Sequence, residues 1–238
     1  MLPIKIHSQP TQVTCGPTSL HAIYNFYGDP ISLQEVIDGV DYVPGGGTLA
    51  VLLASHALKR GYKTKIYTYN LKVFDPTWFN VPTDILNQHI IEKLKLQQKV
   101  KMSKKLHKAS SSYIEFLKLG GQLLFEDLTP TLLSKYFRKQ VPILAGLSAT
   151  YLYRSAREVA PDDLTTGYDD VAGTASGHFV VLCGHDEENG NIVVADPYPE
   201  NPEFKSQYYS VKVNRVINAI MLGILTYDAN LLIIEKTK

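Results

Sequence analysis

The order of its residue patterns predicts an α+β fold for this chain. Three observations carry that reading. Runs with helical spacing dominate the first half of the 238 residues. Short apolar or alternating runs follow one another from Val141 onward. Asn189-Gly190 then joins two of those runs as a tight hairpin signal, so the strands are consecutive and antiparallel instead of alternating with helices.

Taken in order, residues 2–7 read as a short strand. A helix is expected from about Pro17 to Tyr27, because Leu20, Ile23, Tyr24 and Tyr27 fall on one face. Pro17 suits its first position, where an N–H is not needed, and Gly28 followed by Asp-Pro stops it. Ser32 and Glu35 make a capping box for a second helix. Thr48, after the flexible Pro-Gly-Gly-Gly at 44–47, is the expected cap of a third, which Gly61 ends. Residues 62–69 alternate and are rich in Tyr and Thr, the pattern of a strand.

The middle is helical. One helix is expected from Thr83 to about residue 98 and another over roughly 103–118, before Gly120-Gly121. Thr129 and Pro130 open a further one. Then come four strand-like runs at 141–147, 178–184, 191–196 and 208–213. Asn214 is the expected cap of a helix over 215–222, and residues 230–235 supply a last strand. The polar stretch from Ser148 to Gly177 reads as a long binding loop or lid.

Composition narrows the function. Apolar residues make up 45% and charged residues 20%, an ordinary globular balance, and the formal charge of +1 argues against nucleic acid as a global partner. The opening decapeptide lacks the charged start and apolar core of a secretory leader. The longest apolar stretch, 216–225, is about half of what a membrane span needs. With only two cysteines, Cys15 and Cys183, a disulfide framework is not expected, so the expectation is a cytoplasmic chain with both thiols reduced. Seven lysines and no acid lie between Glu92 and Glu115. A solvated helix face is the ordinary meaning of such a run, and an acidic partner for 93–108 is the alternative.

The chemistry begins at Cys15-Gly16-Pro17. A thiol at a helix N-terminus faces unpaired N–H groups and the positive end of the dipole, which favour its thiolate. Gly16 lets a substrate approach the backbone, and the neighbouring N–H groups suit a developing oxyanion. A nucleophilic cysteine needs a base, and the base needs an orienter. His178 begins one strand of the hairpin and Asp196 ends the other, so the two can meet across the ladder. Taken singly, Cys15 could be a small buried hydrophobe, His178 a core histidine and Asp196 a turn residue before Pro197. Zinc at Cys183, His185 and His178 is disfavoured, since His178 and Cys183 point to opposite faces of one strand. His185 with Asp186 is a rival pair at the far, turn end of the hairpin.

Three blocks now resemble a known family: Q-x5-C-G from Gln9 to Gly16, G-H-F-V-V-L from Gly177, and V-A-D-P from Val194. The chain is similar to the papain-like cysteine peptidases that process double-glycine bacteriocin leaders, in their free-standing form. The resemblance implies a papain-like fold over 1–238 as a single domain, its N-terminal helical part packed on an antiparallel sheet. The lysine-rich helical segment at about 84–119 then reads as an insertion. It implies Cys15 as nucleophile, His178 as base, Asp196 as its orienter and Gln9 as an oxyanion donor, with no cofactor and no metal. Its substrate would be a peptide or amide, cleaved through an acyl-enzyme. Transfer of the acyl group to an amine by the same residues is the runner-up, and an inert binding module the third reading. Thr14 stands where the family usually has Asp, and Pro17 at a position usually variable; these departures bear on the substrate more than on the chemistry.

Overall fold

The protein is described here by a computed structural model covering residues 1–43, 47–159, 167–186 and 188–237. Of the Pro-Gly-Gly-Gly segment only Gly47 is among them.

The elements run α1 (Cys15–Phe26), α2 (Leu33–Gly39), α3 (Ala50–Lys59), β1 (Lys63–Thr68), α4 (Thr83–Val100), α5 (Lys104–Lys118) and β2 (Gln122–Leu124). They continue with α6 (Pro130–Arg138), β3 (Ile143–Ser148), α7 (Ala149–Tyr153), β4 (Glu158–Val159), β5 (Gly167–Tyr168) and β6 (Gly177–Asp186). The chain finishes with β7 (Asn191–Ala195), β8 (Tyr208–Lys212), α8 (Val213–Leu222) and β9 (Asn230–Glu235). Seven strands form one sheet in the order β2-β1-β9-β3-β6-β7-β8. Among the described residues only the β1–β2 pair of this sheet is parallel. The class is α+β, as the patterns predict. No helix among the described residues is long and apolar enough to cross a membrane.

Helices cover both faces of this sheet. One core joins α1, α3, α4 and α5 through Leu20, Ile23, Leu53, Leu94 and Phe116 to Phe179 and Val181 of β6. The other joins α6 and α8 through Leu133, Tyr136, Val216 and Ile220 to Val180 and Leu182. Successive residues of β6 thus feed opposite cores, which is why that strand reads as a continuous apolar run and not an alternating one.

Several local signals hold. The Ser32–Glu35 capping box closes in both directions. Thr129 accepts from the Leu132 N–H with Pro130 beside it, and Ser103 accepts from Leu106. Gly190 sits at φ +61° in the turn between the antiparallel β6 and β7.

Others differ. Residues 2–7 are not a ladder strand, although Leu2, Ile4 and Ile6 are buried; the Ile6 N–H goes to the Tyr208 hydroxyl. Helix α1 starts two residues earlier than expected, so Pro17 is its third residue, still within the turn whose N–H groups need no helical partner. The caps of α3 and α8 are Leu49 and Lys212, not Thr48 and Asn214. The Thr48 hydroxyl instead donates to the Asp41 carbonyl. The polar stretch expected as a loop contains α7, whose Leu152 and Tyr153 are buried.

Candidate active site

Cys15 is the first residue of α1 and is buried but for one face. The segment before it is a tight turn. The Thr14 hydroxyl donates to the Thr11 carbonyl at 2.9 Å and accepts from the Thr11 N–H at 3.0 Å. That hydroxyl is therefore spent backwards, and α1 has no side-chain cap. The first N–H groups of the helix are left for whatever occupies the space beside the sulfur.

Helix α1 is fixed against the strand that carries His178. The Ser19 hydroxyl donates to the Phe179 carbonyl at 3.1 Å. A Cβ on Gly16 would come within 2.5 Å of the Thr48 methyl and 3.2 Å of the Phe179 ring, so only glycine lets the helix start lie this close to the sheet.

His178 is the second residue of β6, buried, paired with Leu147 of β3. Its Nε2 lies 2.8 Å from Asp196 Oδ1. That leaves Nδ1 as the ring nitrogen not engaged by Asp196, and the Cys15 side chain is near enough to the ring to help raise its pKa. Burial works against the imidazolium. The Asp196 charge and hydrogen bond, together with Cys15, overcome it and hold the His178 pKa well above the ordinary histidine value.

Asp196 follows directly on β7 and has no exposed surface. Four donors converge on its carboxyl. Oδ1 faces the histidine and accepts from the Tyr198 N–H at 2.9 Å. Oδ2 accepts from the Tyr153 hydroxyl at 2.8 Å and the Tyr209 hydroxyl at 2.7 Å. All the lone-pair directions of a carboxylate are thereby occupied. Burial and the Asp196 charge push both phenols far above their ordinary pKa, so they stay donors. The sequence reading had missed these two tyrosines. Tyr209 was within reach of it, since it pairs with Val194 across the β7–β8 ladder, two residues from Asp196. Tyr153 carries no local signal.

Gln9 is placed close to this group through its backbone, its N–H donating to the Pro197 carbonyl at 2.8 Å. Its side-chain Nε2 donates to the Thr11 carbonyl at 3.1 Å, which uses one of its two amide hydrogens. The Gln9 Oε1 is buried with no partner. Gln12, the other glutamine near the cysteine, lines the cavity that Cys15 opens into.

The rival residues lie elsewhere. His185 meets Ser134 at 2.7 Å, and Cys183 is buried in the core on the α1 side of the sheet, its thiol raised to about 11 by burial. Among the described residues no group of three or more His, Cys, Asp or Glu could hold a metal ion. His56 meets the Tyr24 hydroxyl at 2.8 Å, and His21 meets the Ile31 carbonyl at 3.2 Å; both serve packing. From the lysine run, Lys95, Lys99, Lys101 and Lys104 are exposed, Lys108 pairs with Asp41, and Lys105 reaches the cavity beside Cys15.

The profile of the Peptidase_C39 like family matches residues 1–219. Among solved structures, one described as a C39-like peptidase from Bacillus anthracis superposes with a TM-score of 0.50 at 14% identity, covering 100% of this chain and 97% of that one. Xylellain, a cysteine protease from Xylella fastidiosa, gives a TM-score of 0.43 at 15% identity over 100% of this chain and 85% of its own. Among curated proteins no sequence matches the chain.

Proposed function

Since the chain belongs to the Peptidase_C39 like family, we propose that it is a cysteine peptidase or amidase in which Cys15, His178 and Asp196 act in series. The observation that carries this reading is the imidazole of His178, held by Asp196 at 2.8 Å on one nitrogen, on the strand to which the helix that begins at Cys15 is fixed by the Ser19 hydroxyl.

The chemistry follows from that placement. Nδ1 of His178 takes the thiol proton, and the imidazolium so formed is stabilised by Asp196. The thiolate attacks the carbonyl carbon of a peptide or amide bond. The oxyanion that develops is held by the uncapped N–H groups at the start of α1, with the second amide hydrogen of Gln9 as a further donor. His178 then gives its proton to the departing amine. Water, deprotonated by the same nitrogen, attacks the thioester and releases the acid. Asp196 fixes the ring and its tautomer throughout and exchanges no proton.

The test is direct. A pool of internally quenched peptides is cut by the native chain and not by Cys15→Ala, and mass spectrometry finds the acyl group on Cys15. Gln9→Ala lowers kcat about 100- to 1000-fold, the loss of one oxyanion donor. Full turnover by Cys15→Ala overturns the mechanism. Product analysis with and without an added amine tells whether water or an amine resolves the acyl-enzyme. The α4–α5 pair we read as an insertion in a single domain. Polyanion binding by its lysines is a separate expectation, checked by a steep loss of affinity with salt.

A further inference from the structure

A cavity of about 230 Å³ opens beside Cys15. Its walls come from three directions: Gln12 and Thr48 near the helix start, Gly177 and Phe179 of β6, and Thr226 and Asp228 from the turn before β9. Lys105 of α5 stands at its rim, exposed.

Asp228 has no role in the chemistry proposed above. It does not bond His178, whose ring nitrogen is already on Asp196. Yet it is a carboxyl only 6% exposed, sitting in the wall of the space next to the nucleophile. Burial raises its pKa to about 7, against the pull of the Thr226 hydroxyl and of the Lys105 and His178 charges. A carboxyl held this way is costly unless something completes it.

The surroundings keep it there. A Cβ on Gly177 would lie 1.9 Å from Asp228 Oδ2 and 2.6 Å from Thr226 Oγ1, so the missing side chain at 177 is what makes room for the carboxyl. The turn is braced by the Asp228 N–H and the Thr226 hydroxyl, which both donate to the Gly223 carbonyl at 2.8 and 3.1 Å. No described lysine or arginine forms an ion pair with Asp228. The Lys105 ammonium is instead 4.7 Å over the Tyr227 ring and 3.4 Å from the Thr226 carbonyl. Val43, Leu49 and Phe179 line the same cavity and offer an apolar wall to a methylene stem.

We infer that this cavity is a specificity subsite in which Asp228 receives the ammonium or guanidinium of a substrate lysine or arginine near the scissile bond. The inference rests on the peptidase reading for its substrate. The stem lies along the apolar wall and the cation completes the carboxyl, a charge-assisted hydrogen bond shielded from water.

Two arms test it on the full chain. Peptides carry Lys, Arg, norleucine or Glu at each of three positions on either side of the cut. At one position the kcat/KM for Lys or Arg exceeds that for norleucine by at least about tenfold, the worth of one hydrogen bond to a charged group. In Asp228→Asn that ratio falls toward one, and in Lys105→Met it rises, because a like charge leaves the rim. No preference for Lys or Arg, a preference for Glu, or a ratio that survives Asp228→Asn overturns the inference. The second arm needs no turnover. Alkylation of Cys15 by iodoacetamide is slowed by n-butylammonium more than by n-butanol in the native chain, and equally by both in Asp228→Asn. Equal protection in the native chain sinks the subsite even if peptides are cut. Asp228-dependent protection without any cleavage leaves the cation site standing and removes the peptidase reading instead.

Discussion

Two buried aspartates lie beside the candidate site, and the molecule treats them in opposite ways. Asp196 has no exposed surface and takes four hydrogen bonds, from the imidazole, the Tyr198 N–H and the hydroxyls of Tyr153 and Tyr209. Asp228 is nearly as deep, but the neighbouring Thr226 hydroxyl donates to the Gly223 carbonyl, and burial raises the Asp228 pKa to about 7. A carboxylate whose every lone pair is occupied is rigid and has no capacity left for a ligand. One held in low dielectric with spare capacity is destabilising alone and strong once paired. The difference separates a positioning group from a binding group.

The largest expected effect comes from emptying the first site. Asp196→Ala leaves an imidazole, two phenolic hydroxyls and a backbone N–H buried without their acceptor. We expect kcat to fall about 1000-fold through lost orientation of His178. Stability should fall by about 3–5 kcal/mol, since each abandoned polar group costs on the order of 1–3 kcal/mol and the site relaxes in part. Activity assays and urea unfolding check the two halves. A mild loss in both would mean that the two carboxyls are not so different after all.

The second site should respond in the other direction. The folded pKa of Asp228, about 7, lies above its ordinary value of 3.8. The folded state therefore binds this proton more tightly than the unfolded one. Its contribution to stability is full below about pH 4 and is lost as pH rises to about 7, after which it stays lost. The span corresponds to roughly 4 kcal/mol at about 1.4 kcal/mol per pH unit. Asp228→Asn should remove that fall, so the variant gains on the native chain progressively between pH 4 and 7. Unfolding midpoints across that range decide it. His178, raised in the same sense, loses its own contribution above its ordinary pKa, so only the difference between variant and native chain isolates Asp228.

How far this contrast could be read from the sequence depends on how local each signal is. The Ser32–Glu35 box, the Thr129-Pro130 start and the Asn189-Gly190 turn are contained within four residues, and each holds in the structure. Thr48 and Asn214 have the right chemistry for caps, but tertiary context moves each helix start by one or two residues. The meeting of His178 and Asp196 was legible because a hairpin joins their strands. Their approach to Cys15 was not; it depends on α1 lying against β6, fixed by Ser19 on the Phe179 carbonyl. Asp228 reads in sequence as an ordinary turn residue, and only the juxtaposition with Gly177, 51 positions earlier in the chain, gives it a cleft. Tyr153 was lost inside a polar stretch whose one helix among the described residues is five residues long.

The smallest effect tests whether Asp196 is held by its tyrosines or merely surrounded by them. Tyr153 and Tyr209 share Oδ2, while the histidine is on Oδ1. Removing one hydroxyl leaves the other to fix the carboxyl plane, so Tyr153→Phe or Tyr209→Phe alone should lower kcat by about threefold, with KM little moved. The double variant loses the last anchor on that oxygen and should fall about tenfold or more, beyond the product of the singles, because the two act on one atom. A role in packing alone predicts additive losses of stability with no excess loss of kcat in the double variant. Substitutions at Asp228 predict a third pattern, a changed ratio between substrates, so the kinetics assign each aspartate to its function.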